Sequence, residues 1–323
     1  MCSNKDQRRP ESVKKQLTEI VDETLQQRGD QILLLDDFKT VLNHFALAPT
    51  SKKHIKRIIE EKIGGSQKLC DLTFNLVTAK LEGRNIMLFV STEIDREYQS
   101  FMVEMISGAY EGAKRTLRWM LETMVWTCIF QSSFGRSSIE ELINEAMKEL
   151  KNHNLSENFN LKEEIEREWQ ITYAYFAGIL YFKEIFRPPS IGDVLDKITM
   201  LKKTKVKEEI RKLYKNLSKH AHLTPESTYL TIKENNPMKP TSTLFGKFDE
   251  KLFDDTFNLA VNAFDAVFAL SLCINASCFN YSTVEEYVQD IPEKSELLKH
   301  LEDRLRDHNL TLNLTKEIQK LKL

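Results

Sequence analysis

Apolar residues recur every three to four positions over most of this chain, which is the period of an amphipathic α-helix. Residues 11–28 show the pattern first, and Gly29 ends it. The same pattern predicts further helices at about 36–47, 51–62, 67–82, 92–130, 138–151, 160–186, 205–221 and 249–279. The stretch 249–279 is the most apolar of these, so we expect a central helix that is buried on much of its circumference.

Two features interrupt this helical pattern. The run from Ile86 to Val90 contains five consecutive apolar residues, which fits either a short strand or a buried piece of helix. Gly108 and Gly112 fall inside 92–130, and a glycine costs about 1 kcal/mol in a helix interior. We therefore expect either a break or a close approach of another helix at these glycines, and we favour the close approach.

Together these elements predict an all-α fold, a multi-helix bundle with a small N-terminal helical domain that has room for a short β-hairpin. We place a flexible N-terminus at 1–10, the small helical domain at 11–90 and the helical bundle at 91–323. No repeat with a period of about 20–50 residues is present, which argues against a solenoid.

Composition narrows the classes of protein that fit this fold. The 323 residues are 41% hydrophobic and 29% charged, as in ordinary globular proteins. The net charge of -2 gives no overall attraction to a polyanion, so a nucleic-acid contact has to come from a local patch. The polar N-terminus and the lack of an uninterrupted run of about 18 apolar residues predict a cytoplasmic protein that does not enter a membrane.

The five cysteines have no paired CxxC spacing, which argues against a disulfide framework and a zinc ribbon. Glycine-rich phosphate loops and dinucleotide fingerprints are absent from the sequence as well. His220 and His222 are two positions apart, so on a helix they face away from each other and do not form the usual zinc pair. We expect no metal and no cofactor.

A basic helix is predicted after the turn at 49–51. It carries Lys52, Lys53, Lys56 and Arg57. Together with the two helices before it, it loosely resembles a helix-turn-helix, in which a basic helix enters the major groove of DNA. The solvent-exposed face of an amphipathic helix explains these charges better than entry into a DNA groove does. The four residues nevertheless stay our candidate nucleic-acid contacts.

Three charged residues in the predicted helix 92–130 share one face. Arg115, Arg118 and Glu122 lie at i, i+3 and i+7 among apolar residues. Arg118 and Glu122 can pair directly. The pair either supports a functional site or is a partly exposed ion pair on the helix flank.

The strongest candidate for chemistry is the run 215–222, Lys-Asn-Leu-Ser-Lys-His-Ala-His, where the predicted helix 205–221 ends. This run resembles the motif of HEPN domains, in which an arginine and a polar residue precede a histidine by four to six positions. Lys215 stands in the arginine place, Asn216 in the polar place, and His220 or His222 in the histidine place. The resemblance covers about residues 92–280.

The HEPN resemblance implies a metal-independent ribonuclease centre formed by a homodimer, in a toxin or antiviral defence setting. In that family the arginine steadies the phosphate and the histidine assists proton transfer, so the resemblance implies His220, His222, Lys215 and Asn216 as site residues, with Arg118 and Glu122 in support. A lysine lacks the planar fork of an arginine, which favours RNA binding over efficient cleavage.

The same run also has a structural interpretation. Lysine and histidine near a helix C-terminus complement the helix dipole and bind the last free carbonyls. The alternative function is therefore a non-catalytic module for protein interaction or transcriptional regulation, in which the basic helix meets a partner protein or DNA. The Pro-rich segment 224–246 that follows either borders a site or only connects two helices.

Overall fold

The computed structural model describes residues 8–47, 52–64, 66–134, 139–152, 160, 162–163, 166–174, 191–198, 201, 204–221, 248–279 and 281–321. Its helices, in chain order, are α1 Arg8–Leu47, α2 Lys52–Ile63, α3 Gln67–Arg84, α4 Met87–Ile106, α5 Tyr110–Phe134, α6 Ile139–Asn152, α7 Ile191–Lys197, α8 Lys205–Ala221, α9 Glu250–Cys278, α10 Val284–Gln289, α11 Pro292–Asp307 and α12 Asn313–Gln319. None of the described residues forms a strand, so the predicted all-α class is confirmed.

The central helix is α9, as its apolar composition predicted. It packs against α1, α4, α5, α8, α10 and α12. Its first turn is capped by Asp249, whose side chain accepts the N–H of Leu252 at 2.9 Å. Phe264 in the middle of α9 has its ring centroid 5.8 Å from that of Phe38 on α1 and 5.4 Å from that of Phe101 on α4. These aromatic contacts join three helices into one core.

The buried carboxyl group of α9 is hydrogen-bonded to another helix. Asp265, which is 2% exposed, accepts the backbone N–H groups of Leu314 and Thr315 at 2.8 and 3.0 Å and the Thr315 hydroxyl at 2.6 Å. Asp265 thereby caps the N-terminus of α12 although it lies about fifty residues earlier in the chain. Burial raises the pKa of this carboxyl group, and the bonds from α12 oppose the rise.

Helix α1 is interrupted where the sequence predicted an end. Arg28 has a non-helical backbone, with φ -134° and ψ 16°, and divides α1 into two sections. The second section starts immediately after the kink, earlier than the predicted start near residue 36. The Arg28 guanidinium bonds to Glu250 and to Asp254 at the start of α9, which fixes the kink against the central helix.

The run from Ile86 to Val90, where we allowed for a hairpin, starts α4 and is not a strand. Ile86, Met87 and Val90 are all buried. A short apolar run fits a buried strand as well as a buried piece of helix, which is why the sequence could not separate the two.

The two glycines in the predicted helix 92–130 have different roles. Gly108 has a positive φ of 74° and lies in the turn that separates α4 from α5, so our preference for close packing was wrong there. Gly112 lies inside α5, and a Cβ atom at this position would be 2.6 Å from Oε1 of Glu104 on α4. Close approach of a neighbouring helix is therefore the role of Gly112 alone.

The buried side chains form one continuous core on both sides of residue 90, with members from Ile32 to Ile318. The division into units 11–90 and 91–323 stays a prediction about independent folding. Helix α9 is long and apolar enough to span a membrane by length and composition, and 83% of its most apolar window is buried inside the protein. The central helix of a protein core has the same composition.

Candidate functional site

His220 lies in the last turn of α8, which packs along α5. The buried residues Val206, Ile210 and Leu217 hold α8 in place. The Nδ1 atom of His220 is 3.0 Å from Oε2 of Glu111, in the first turn of α5. The His220 side chain is 21% exposed, so the imidazole lies at the edge of the contact between the two helices.

Glu111 also binds Lys114. Its Oε1 atom accepts a hydrogen bond from Nζ of Lys114 at 2.8 Å, and the Lys114 side chain is 5% exposed. The hydrogen bond to His220 and the bond to Lys114 lower the pKa of Glu111 to about 2, against the effect of burial. Glu111 is therefore ionised at neutral pH.

An ionised Glu111 fixes the tautomer that a neutral His220 adopts. We assign the proton to Nδ1, because a carboxylate can only accept a hydrogen bond. The lone pair of the neutral ring is then on Nε2, which points away from Glu111. A carboxylate that orients an imidazole in this way is the usual arrangement for a histidine that transfers protons.

Arg118 and Glu122 form a second polar contact between α5 and α8. The predicted pair is present, with Nη2 of Arg118 3.6 Å from Oε2 of Glu122. Arg118 also donates to the hydroxyl of Tyr214 on α8 at 2.7 Å and lies over the Tyr214 ring, 5.1 Å from its centroid. The Tyr214 hydroxyl in turn donates to Glu122 at 3.4 Å, and burial raises the pKa of this tyrosine.

The two polar contacts are separate from each other. Glu111 and Arg118 are seven residues apart, which is roughly 10 Å along α5. His220 and Tyr214 are six residues apart on α8, about 240° around the helix, so they border opposite sides of its buried face. Arg118 therefore lies beside Tyr214 and not beside His220.

Lys215 and Asn216 lie on the exposed face of α8. Lys212 and Lys219 are also exposed, and with Lys215 they repeat at i, i+3 and i+7, the spacing of residues on one helix face. Lys212 forms an exposed pair with Glu209 at 2.7 Å, a type of contact that is worth little. His222 lies outside the described residues.

Helix α2 has the amphipathic arrangement that the sequence predicted. Ile55 and Ile59 are fully buried, whereas Lys53, Lys56 and Arg57 are exposed. The side chain of Lys52 lies outside the described part of the structure. Nζ of Lys56 is 3.9 Å from Oε1 of Glu60 on the same helix, so acidic and basic groups alternate on this surface.

Sequence reasoning missed three residues of the α5–α8 contact, Glu111, Lys114 and Tyr214. Glu111 continues the spacing of Arg115, Arg118 and Glu122 along one face of α5, and this extended polar stripe was the signal that could have identified it. Among the described residues, no three His, Cys, Asp or Glu side chains are grouped closely enough to bind a metal ion.

Comparison with known proteins adds no assignment. No protein-family model matches this chain, and neither a curated protein nor a solved structure matches it. The resemblance to HEPN domains stays a prediction from the run 215–222.

Proposed function

We propose that this chain is a HEPN-like helical protein that binds RNA along the exposed face of α8, with His220 at the edge of the binding surface. The observation that carries the proposal is the position of an oriented histidine beside a row of exposed lysines on the same helix. The proposal also includes that the protein forms a homodimer in the cytoplasm and acts in a toxin or antiviral defence setting.

The lysine row supports binding of a polyanion. Lys212, Lys215 and Lys219 present three ammonium groups on one helix face, and Asn216 lies among them with an amide that can donate hydrogen bonds. Phosphate contacts of this kind supply most of the affinity for nucleic acid and require no base recognition. The net charge of the whole chain is only -2, so repulsion from the rest of the protein is small.

The pair of His220 and Glu111 supports a proton-transfer role. With Nδ1 held by Glu111 at 3.0 Å, Nε2 can accept a proton from a 2′-hydroxyl and thereby assist its attack on the adjacent phosphodiester. Lys215 supplies a positive charge but no bidentate fork, and Arg118 already binds Tyr214 and Glu122. We therefore propose slow, metal-independent cleavage at most, with RNA binding as the main activity.

RNA binding is tested by fluorescence anisotropy of a labelled single-stranded RNA at several salt concentrations. The variant with Lys215→Ala and Lys219→Ala loses two phosphate contacts, so the slope of log K against log salt decreases by about 1.4. The matched control carries Lys251→Ala and Lys299→Ala, two lysines that are also exposed and lie on other helices. Equal weakening by both double variants contradicts a binding surface on α8.

RNA cleavage is tested with the same RNA in the presence of a chelator. We expect His220→Ala to abolish any cleavage and to leave most of the binding intact. His308→Ala is the matched control, because His308 is 19% exposed and its Nε2 lies 3.0 Å from a carboxylate oxygen of Asp30. Cleavage that persists in His220→Ala, or that is lost equally in His308→Ala, contradicts the proton-transfer role.

The second candidate is a non-catalytic module for protein interaction or regulation. It is favoured by the contact of Arg118, Tyr214 and Glu122. These three side chains bond to one another between α5 and α8, so they stabilise the packing of α8. Intact RNA at high protein concentration, together with the absence of salt-dependent binding, would support this candidate over the first.

A further inference from the structure

A cleft of about 440 Å³ lies between helix α2 and the segment 281–290 that contains α10. Its principal lining residues are His54, Arg57, Tyr281, Glu286, Gln289 and Asp290. A second hollow of about 370 Å³ shares His54, Arg57 and Asp290 with it and extends along α2. The combined space is within the usual range for small-molecule sites.

The floor of the cleft is an ordered aromatic pair. The rings of His54 and Tyr281 stack with centroids 4.2 Å apart and planes inclined by 16°. The Tyr281 hydroxyl donates to Oδ2 of Asp290 at 2.7 Å. The wall on the α10 side is therefore held in position before any ligand binds, which reduces the entropic cost of binding.

The two walls of the cleft carry opposite charges. The α2 wall presents Arg57 and, in the second hollow, Lys53 and Lys56. The opposite wall presents the carboxylates of Glu286 and Asp290. Glu286 and Asp290 also use oxygens internally, because Glu286 accepts the N–H of Ser282 at 3.1 Å and Asp290 accepts the Tyr281 hydroxyl.

His54 adds no full positive charge to the α2 wall. Burial lowers its pKa, while the nearby carboxylates of Asp290 and Glu286 oppose the shift and Arg57 reinforces it. Nη2 of Arg57 lies 3.5 Å from Nδ1 of His54, a contact that suits a neutral imidazole because a guanidinium can only donate. The α2 wall also carries one carboxylate, that of Glu60, which lies 3.9 Å from Nζ of Lys56. The remaining positive charge of this wall is comparable to the negative charge of Glu286 and Asp290 opposite.

We infer that this cleft binds a small zwitterion, a molecule that carries a carboxylate at one end and an ammonium group at the other. The carboxylate binds Arg57 and Lys53 on the α2 wall, and the ammonium group binds Glu286 and Asp290 on the opposite wall. A purely anionic or purely cationic ligand would complement one wall and be repelled by the other. This inference is independent of the proposed RNA surface on α8.

Isothermal titration calorimetry with a matched set of ligands tests the inference on the full chain. The zwitterions are glycine, 4-aminobutyrate and 6-aminohexanoate, which differ in the separation of their charges, and the single-charge ligands are hexanoate and hexylamine. We expect at least one zwitterion to bind about tenfold more tightly than either single-charge ligand, since it forms charged contacts with both walls.

Two substitutions that remove a charge but keep a polar side chain identify which wall each charge contacts. Arg57→Gln should weaken the zwitterion and hexanoate but not hexylamine, and Glu286→Gln should weaken the zwitterion and hexylamine but not hexanoate. Glutamine retains the oxygen that caps Ser282, so α10 stays folded. Arg96→Gln and Glu285→Gln, two exposed residues outside the cleft lining, are the matched controls.

The inference is overturned if no zwitterion binds at millimolar concentration. It is equally overturned if hexanoate and hexylamine bind as tightly as 6-aminohexanoate, or if the two control variants weaken binding as much as Arg57→Gln and Glu286→Gln do.

Discussion

Asp265 offers the sharpest test of how this fold is held together. The substitution Asp265→Ala removes the acceptor of the Leu314 and Thr315 backbone N–H groups at the start of α12, bonded at 2.8 and 3.0 Å. Both amides are at a buried helix end, where water cannot replace the lost acceptor. Each unsatisfied buried donor costs about 1–3 kcal/mol.

The net cost is smaller than the sum of the two amides. Burial raises the pKa of Asp265, because the folded state carries a desolvation cost for this carboxyl group that the alanine variant no longer has. We therefore expect the free energy of unfolding to fall by about 3 kcal/mol in Asp265→Ala, and by about half as much in Asp265→Asn, which retains one oxygen.

Asp249→Ala is the matched control, since Asp249 also caps a helix but is exposed and bonds a single N–H, that of Leu252. The loss of such a cap costs about 1 kcal/mol. Urea denaturation followed by circular dichroism at the helical band gives the three values. A loss in Asp265→Ala no larger than that in Asp249→Ala would refute the argument that burial amplifies the role of this cap.

Two further stability predictions follow from the contacts of Glu111 and Gly83. The folded pKa of Glu111 is about 2, below its ordinary 4.5, so its stabilising contribution is complete above pH 4.5 and disappears as the pH falls towards 2. Because Glu111 is 42% exposed, we expect Glu111→Gln to lower the free energy of unfolding by only about 1 kcal/mol near neutral pH. Thermal melts should show that this difference disappears in acid. A difference that stays constant with pH contradicts the lowered pKa of Glu111. In Gly83→Ala the new Cβ would lie 2.5 Å from Cβ of Glu168, so we expect a loss of about 1–3 kcal/mol that outweighs the gain in helix propensity. Gly29→Ala, with no atom within 4 Å of its Cβ, should instead stabilise by about 0.5–1 kcal/mol, and equal melting temperatures for the two variants would contradict this reasoning.

The helices with a clear apolar period were predictable to within a residue or two. The range 249–279 became α9, Glu250–Cys278, and 205–221 became α8, Lys205–Ala221. The segment at Ile86 was ambiguous because five consecutive apolar residues show neither the helical nor the strand period. Gly108 and Gly112 could not be told apart, since both a turn and a close helix contact require a residue without a side chain.

The candidate sites could be predicted only in part, because their partners come from distant parts of the chain. The pair of Arg118 and Glu122 was predicted, as it depends on spacing within one helix. The partner of His220 is Glu111, 109 positions earlier, and the stacking partner of His54 is Tyr281. Such pairs depend on how helices pack, which the spacing of residues in one helix does not specify.

The position of α9 in the chain affects how the protein is synthesised. The apolar faces of α1, α4 and α5 leave the ribosome long before residues 250–278, against which they pack. Until then, the nascent chain exposes the parts of these helices that later pack against α9, a situation that favours aggregation and chaperone binding during translation. Slow translation between α5 and α9 would lengthen that vulnerable period.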